Sequence, residues 1–292
     1  MVVTYAAGGI TDSLARAVAS KMSESMGQQV VVDNRVGGSG NIGSALVAKA
    51  APDGYTVLFG TNGPQAANVS LFAKLPYDPL KDLVPVALVA ISGVVLVVAP
   101  NSPYNNLQDV ITAAKAKPGT LTFGSSGPGG TPHLAGESFK AAAAIDMIHV
   151  PYKGDAPSVV DVMGGQVTMA FPGTGSAAAL VRGGKLKALA VSSARRSEAL
   201  PSVPTFADTL PGFELAGWFG VFLPAGAPPD VVASLHREVV KAVSDAKIKE
   251  QFVRLGVDVP EPPLTAAQFK DFHQKDIARL GAVIQNAKVK LD

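Results

Sequence analysis

Small polar residues and glycine follow five predicted strands at the points where predicted helices begin. These loops supply the candidate ligand-binding residues, which are Tyr5, Gly8, Gly9, Asp12, Thr61, Asn62, Ser125, Ser126, Gly129, Gly130, Thr131, Tyr152, Gly154, Asp155, Gly173 and Thr174. Ligands of open α/β sheets bind at the carboxyl ends of the strands, where the free backbone N–H groups of helix N-termini favour anions. Glycine lets the backbone approach a ligand closely because it has no Cβ. The loops therefore predict a cleft that holds a small anion with neutral donors.

Each loop also has a simpler interpretation, as an ordinary turn in which Ser, Thr or Asp caps the following helix. Asp12 and Asp155 fit that role, but either carboxylate could instead receive an ammonium group of an amino-acid ligand. His133 follows a glycine-rich loop and is either a packed imidazole or a donor to the ligand. Trp218 and Phe219, at a predicted strand, either wall a pocket or belong to the core.

The motifs that would make such a cleft catalytic are missing from the sequence. There is no cysteine, no serine lies in a G-x-S-x-G context, and the four histidines lack H-E-x-x-H spacing. The segment 38–43 matches G-x-G-x-x-G, but residues 33–36 separate it from the preceding strand, which disfavours a dinucleotide site. We therefore expect a protein that is not an enzyme and that binds neither a metal nor a cofactor.

The composition limits the kinds of partner that the protein can bind. The 292 residues are 47% apolar, enough to bury the cores of two domains, and no apolar run approaches the length of a membrane span. The formal net charge is only +2, and the Lys and Arg residues are scattered, so we expect no nucleic-acid partner.

The elements that position the loops form a repeating pattern. Short β-branched runs alternate with Ala-rich helical segments, which predicts an α/β fold with two doubly wound domains and largely parallel sheets. Helices predicted at 229–246, 247–255 and 266–288 have no sheet of their own, so they must pack on an existing one. The predicted domains are residues 1–99 with 222–292 and residues 100–221, joined by a hinge.

The combined motifs resemble the tripartite tricarboxylate transporter substrate-binding family, also called the Bug receptors. The resemblance spans essentially the whole chain, and its segments are 5–9 (YAAGG) with Asp12, 31–40 (VVDNRVGGSG) with 42–43 (IG), 51–56 (APDGYT), 131–137 (TPHLAGE), 150–154 (VPYKG), 189–192 (LAVS), 203–205 (VPT), 211–213 (PGF) and Trp218. One such segment alone would be weak, but together they are highly specific.

The resemblance implies a periplasmic binding protein of the Venus flytrap type, in which two domains close around a carboxylate held by backbone groups and bridging waters. By position it assigns the loop residues given above as the contacts. It also implies a periplasmic location, with Met1 standing where an export segment has been removed, and delivery to a membrane transporter by a monomer. Tyr5 and Ala6 depart from the Phe and Pro of many relatives, so we expect a different pocket floor.

The leading hypothesis is thus a receptor for a dicarboxylate, an acidic amino acid or an aromatic acid. A sensor that passes the signal to a membrane kinase is an open alternative, because the sequence does not separate transport from signalling. An enzyme that uses the same cleft is the other alternative, and it would need a base–nucleophile pair.

Overall fold

The computed structural model describes residues 1–286 as two β-sheets with helices packed on their faces. In chain order the elements are β1 (Val2–Val3), α1 (Ile10–Met26), β2 (Asp33–Asn34), α2 (Asn41–Ala48), β3 (Leu58–Thr61), α3 (Asn68–Leu71), β4 (Leu83–Gly93), β5 (Val95–Val98), α4 (Leu107–Ala116), β6 (Thr122–Ser125), α5 (Thr131–Ala143), β7 (Ile148–Pro151), α6 (Asp155–Met163), β8 (Met169–Ala170), α7 (Thr174–Arg182), β9 (Lys187–Val191), β10 (Ala216–Pro224), α8 (Pro229–Val243), α9 (Ala246–Arg254) and α10 (Ala266–Asn286). The end of the helix predicted at 266–288 lies outside the described residues.

The first sheet has the strand order β2-β1-β3-β10-β4. Strand β1 pairs in parallel with β2 and β3, whereas β10 runs antiparallel to both β3 and β4. The second sheet has the order β7-β6-β8-β5-β9, in which β6 is parallel to β7 and β8 while β5 runs antiparallel to β8 and β9. Both sheets are therefore mixed rather than largely parallel. The reversed strand of each sheet is the one that the chain enters directly after crossing from the other sheet.

Both crossings lie earlier in the chain than the sequence predicted. Strand β5 pairs with β8 and β9, so the chain leaves the first sheet at Val94 and not after residue 99. It returns within residues 192–215, because β10 already pairs with β4 from Ala216 onwards. We therefore propose 1–93 with 216–286 as the described part of the first domain, and 94–215 as the second, in place of boundaries at 99–100 and 221–222.

Buried apolar side chains fill the space between the sheets and their helices. On one face of the first sheet, α1 and α8 pack through Leu14, Val18 and Val239, which are all inaccessible to solvent. On its other face, α10 inserts Phe269 beside Trp218. The C-terminal helices thus complete the first domain. Within the described residues, no helix combines the length and apolarity needed to cross a membrane.

Candidate ligand-binding cleft

A cavity of about 340 Å³ lies between the two sheets, where the predicted loops meet. Loops of the first domain, loops of the second domain and the crossing strands all contribute to its walls. The lining residues are Tyr5, Ile10, Thr11, Thr61, Asn62, Ser92, Val94, Ser126, Thr131, Pro132, Asp155, Gly173, Gly175, Ser176, Gly217, Trp218, Phe219 and Leu255. The size suits a small organic acid rather than a nucleotide or a peptide.

Two parallel strands position the residues that form the first-domain wall of the cavity. Strands β1 and β3 run side by side, so Tyr5, which comes shortly after β1, and Thr61, the last residue of β3, reach the same edge of the sheet. The hydroxyl of Thr61 donates a 3.5 Å hydrogen bond to the phenol oxygen of Tyr5. Burial raises the pKa of Tyr5, which keeps its phenol protonated and able to donate to a ligand. The first turn of α1 adds Ile10 and Thr11 to this wall.

The second-domain wall begins at α5. Ser126 precedes this helix, and Thr131 and Pro132 form its first turn. The side-chain amide of Asn62 in the first domain donates to the hydroxyl of Thr131 at 3.4 Å. This hydrogen bond joins the two domains at the wall of the cavity.

Asp155 and Gly173 complete the second-domain wall. Asp155 is the first residue of α6, and its Oδ2 accepts a 2.9 Å hydrogen bond from the backbone N–H of Gly173. Gly173 directly precedes α7, so this bond fixes two helix starts relative to each other. Gly175 and Ser176 of the first turn of α7 also line the cavity.

The four helices that begin at the predicted loops share one feature. Each starts after a glycine, which has no side chain to cap the free amides; these are Gly9, Gly130, Gly154 and Gly173. In contrast, the side chains of Asn106 and Asp245 cap α4 and α9, whose N-termini do not reach the cavity. Uncapped amides at the positive end of a helix dipole are suited to an anionic ligand.

The crossing strands form the floor of the cleft. Gly217 of β10 lies opposite Ser92 of β4, and a Cβ at Gly217 would come within 3.4 Å of Asn62 Oδ1. The next residue, Trp218, is 1% exposed, and its indole N–H donates a 2.7 Å hydrogen bond to Oδ2 of Asp276. The only tryptophan of the chain therefore lies in the floor with a fixed orientation.

Asp12 lies behind the cavity instead of lining it. Its Oδ2 accepts 2.9 Å hydrogen bonds from Gly8 N–H and Arg16 Nε, and its Oδ1 accepts one of 2.9 Å from Asn34 Nδ2. The bond to Arg16 is the largest of several interactions that lower the pKa of Asp12 to about 2. Because protein donors engage both oxygens, the geometry favours a role in holding the β1–α1 loop over reception of a ligand ammonium.

A histidine pair supports the loop before α5. Ser125 is 1% exposed and its hydroxyl contacts His149 Nε2 at 2.7 Å. The imidazole of His149 stacks on that of His133, with 4.0 Å between the ring centroids. In turn, Nδ1 of His133 accepts a 3.0 Å hydrogen bond from the N–H of Gly129. Ser125, Gly129 and His133 are thus supports of the loop and do not line the cavity.

The other predicted residues outside the lining also have structural partners or cap positions. The phenol of Tyr152 donates to Asp161 at 2.6 Å, and the hydroxyl of Thr174 donates to the carbonyl of Gly93 at 2.9 Å. The remaining predicted glycines lie in loops or at helix caps and do not line the cavity; they are Gly8, Gly9, Gly130 and Gly154.

Several lining residues were not predicted from the sequence. Ser92 and Gly217 belong to β4 and β10, and Val94 lies between β4 and β5. The sequence signal that could have found them is a serine and a glycine within otherwise apolar strands. Leu255 follows α9 in the C-terminal region, and we find no local pattern that marks it.

The cavity carries very little charge. Among the lining residues that the structure describes, Asp155 is the only Asp, Glu, Lys, Arg or His. Over residues 1–286, no group of three or more His, Cys, Asp and Glu is arranged to hold a metal ion. The arrangement is suited to binding through backbone amides, hydroxyls and one carboxylate.

The sequence pattern of the tripartite tricarboxylate transporter family receptor matches residues 14–289. The chain belongs to this family. It is also 37% identical over 297 aligned residues to the protein BugT of Bordetella pertussis, a match that covers 100% of this chain and 89% of BugT. These two matches confirm the resemblance predicted from the loop segments. Members of the family are solute-binding receptors.

Two solved structures have the same fold. Rpa4515 of R. palustris with adipate superposes with a TM-score of 0.80 at 34% identity, covering 99% of this chain and 97% of that one. MatC from Rhodopseudomonas palustris with bound malate gives a TM-score of 0.75 at 31% identity, covering 97% of each chain. The predicted fold class is thereby confirmed: two α/β domains of the Venus flytrap type, as in periplasmic binding proteins.

Proposed function

We propose that this protein is a periplasmic receptor that captures a small carboxylate between its domains and delivers it to a transporter of the tripartite tricarboxylate type. The observation that carries the proposal is a cavity onto which uncapped helix starts of both domains converge and in which Asp155 is the only charged residue among the described lining residues. Helices α1, α5 and α7 each contribute residues of their first turn to its lining. Such a site compensates the charge of a carboxylate by hydrogen bonds and dipoles, without a cationic side chain.

Water is expected to complete the recognition. No arginine lines the cavity among the described residues, so the bidentate guanidinium clamp common to carboxylate sites is not available. The hydroxyls of Tyr5, Thr61 and Ser126 can bind bridging waters at little cost in affinity. The adipate and malate of the two solved relatives, which both carry two carboxylates, support a dicarboxylate ligand.

Closure of the two domains is the proposed capture step. Gly175 in the second domain lies so close to Leu255 in the first that a Cβ on this glycine would overlap the Leu255 carbonyl oxygen. The contact between Asn62 and Thr131 adds a polar link across the cleft. Two crossing segments between rigid sheets provide the hinge for such a motion.

We propose binding rather than catalysis. The stacked histidines His133 and His149 support the loop before α5, and both lie outside the residues that line the cavity. The lining serines and threonines have no imidazole partner there, which an activated nucleophile would need.

A ligand panel tests the proposal. The fluorescence of Trp218, the only tryptophan, and isothermal titration calorimetry should both report saturable binding of some of adipate, malate, succinate, glutamate and benzoate. Uncharged sugars and cationic diamines should give no signal at the same concentrations. Binding of only sugars or diamines would overturn the proposal, and so would conversion of a bound carboxylate into a product. Sedimentation velocity tests the monomeric state that we propose.

A further inference from the structure

Asp155 introduces a negative charge into a cavity that is otherwise suited to anions. Its Oδ2 is held by the N–H of Gly173 at 2.9 Å. Its Oδ1 has no hydrogen-bond partner among residues 1–286, and the residue lines the cavity. One oxygen is therefore fixed by the protein while the other is available to a ligand.

Among the described residues that line the cavity, no cationic side chain neutralises Asp155. No Lys, Arg or His lines the cavity in the described part of the chain. A ligand carboxylate placed against this oxygen would meet a like charge that no cation among the described lining residues offsets, which weakens binding. A hydrogen-bond donor placed there would gain a charge-assisted bond instead. A bound ligand should therefore have an anionic group at the helix starts and a hydrogen-bond donor at Asp155.

We infer that Asp155 is a specificity-determining residue, which selects carboxylates that bear an ammonium or hydroxyl group over unsubstituted mono- and dicarboxylates. The inference rests on the proposed carboxylate-binding function. One carboxylate of the ligand occupies the uncapped helix starts, and the donor group on its carbon chain contacts Oδ1 of Asp155. Adipate, found with one solved relative, has no such donor, so this chain is expected to prefer a different ligand.

A comparison of Asp12 with Asp155 distinguishes ligand recognition from a purely structural role. Asp12 and Asp155 both lie in the first turn of a helix that follows a glycine loop. Asp12 has protein donors on both oxygens, including Arg16, whereas Asp155 has one backbone donor on one oxygen. The bond to Gly173 uses only one oxygen of Asp155, and the second oxygen is left for recognition.

The substitution Asp155→Asn isolates the charge. The amide oxygen of Asn can still accept the hydrogen bond of Gly173, so the loop geometry is kept while the negative charge is removed. Asp161→Asn is the matched control, because Asp161 lies on the same helix, receives the Tyr152 hydroxyl and does not line the cavity. Thermal melting of both variants without ligand checks that the fold is intact.

Calorimetry with matched ligand series measures the selectivity. The series are succinate, malate and aspartate; glutarate, 2-hydroxyglutarate and glutamate; and adipate with 2-aminoadipate. In the wild type, the Kd of the preferred substituted acid should be at least about tenfold lower than that of its unsubstituted partner. In Asp155→Asn this ratio should fall by at least about tenfold, and Asp161→Asn should keep it. The amino and hydroxy members of each series show which donor Asp155 accepts.

The outcomes separate the two proposals. If the wild type binds carboxylates but the ratio is the same in Asp155→Asn, or if unsubstituted acids bind best, the inference about Asp155 is wrong while the receptor function stands. If the wild type binds no carboxylate of any series or of the wider panel, the proposed function fails and the inference fails with it.

Discussion

Gly175 of the second domain lies in backbone contact with Leu255 of the first, at the side of the cavity. A Cβ on Gly175 would overlap the carbonyl oxygen of Leu255, which is fixed backbone and not a flexible side chain. Both residues line the cavity. This arrangement of the domains therefore requires the absence of a side chain at this position.

Gly175→Ala is expected to weaken ligand binding by preventing this approach. The overlap can be relieved only by separating the domains, so the closed form becomes less populated and the apparent affinity falls with it. We expect a Kd at least about tenfold higher, equivalent to about 1.4 kcal/mol, with little change in the melting temperature without ligand. Gly175 belongs to the first turn of α7, where alanine fits the helix itself.

Gly164→Ala is the control for that measurement. Gly164 ends α6, and a Cβ there would make only an ordinary 3.5 Å contact with Val160. Its Kd should match the wild type. Unchanged affinity in Gly175→Ala would show that capture does not need the contact with Leu255.

The hydrogen bond between Asn62 and Thr131 is expected to stabilise the closed arrangement of the domains, and not to act by direct contact with the ligand. Asn62→Ala and Thr131→Val each remove one partner, and each should raise the Kd several-fold, because a net hydrogen bond is worth about 1 kcal/mol. The double variant should bind no more weakly than the weaker single variant. This non-additivity, measured by calorimetry as a double-mutant cycle, assigns the energy to the pair. Strictly additive effects would mean that the two side chains act independently on the ligand.

The loop residues could be predicted from sequence because their signal is local. A glycine or a small polar residue directly after a strand marks the start of a helix, and this pattern placed Thr61, Asp155 and Gly173 in the lining of the cavity. The crossing of the chain between sheets has no such signal. Ser92 and Gly93 interrupt the apolar run 83–98 and mark a break between two strands. No local feature shows that the second of these strands joins the other sheet. That change of sheet depends on strand pairing between distant parts of the chain.

Asp12 and Asp155 show the same limit at the level of single residues. Both follow a glycine loop, and their local sequences gave the same two interpretations. Arg16, four residues after Asp12, is visible in the sequence as a helical partner, but Asn34 reaches Asp12 only through the pairing of β1 with β2. The donor to Asp155 likewise comes from a separate loop, at Gly173. Tertiary contacts therefore decide which carboxylate is available to a ligand.

Asp12→Asn is expected to destabilise the protein and to leave ligand selectivity unchanged. Interactions led by the Arg16 bond lower the pKa of Asp12 from 3.8 to about 2, so the charged form stabilises the folded state. This stability is fully present above pH 3.8 and is lost as the pH falls from 3.8 to about 2. We expect a loss of about 1–3 kcal/mol at neutral pH, from urea denaturation, and a flatter pH dependence below pH 4. Altered selectivity between aspartate and succinate in this variant would instead assign Asp12 to the ligand.

Ligand affinity is expected to fall in acid because of the histidine pair. Burial is the largest of the causes that lower the pKa of His149 to about 4; the neighbouring His133 and Lys140 add to the shift, and Glu137 opposes it. Burial also lowers the pKa of His133, and Lys140 adds to that effect. The unfolded chain therefore binds protons below pH 6.5 that the folded protein excludes, so stability is lost as the pH decreases from 6.5 towards 4. Protonation at Nδ1 of His133 also removes the acceptor of the Gly129 N–H, which loosens the loop before Thr131.

The double variant His133→Asn with His149→Gln tests this assignment. Asn can present its oxygen near the position of Nδ1 and Gln near that of Nε2, so the contacts with Gly129 and Ser125 are kept without a titrating group. Calorimetry between pH 7 and 4.5 should show a Kd that rises at least about tenfold in the wild type and by much less in the variant. With aspartate or glutamate as the ligand, the carboxylates stay mostly ionised over this range, so a parallel rise in both proteins would place the acid-sensitive group elsewhere in the cleft.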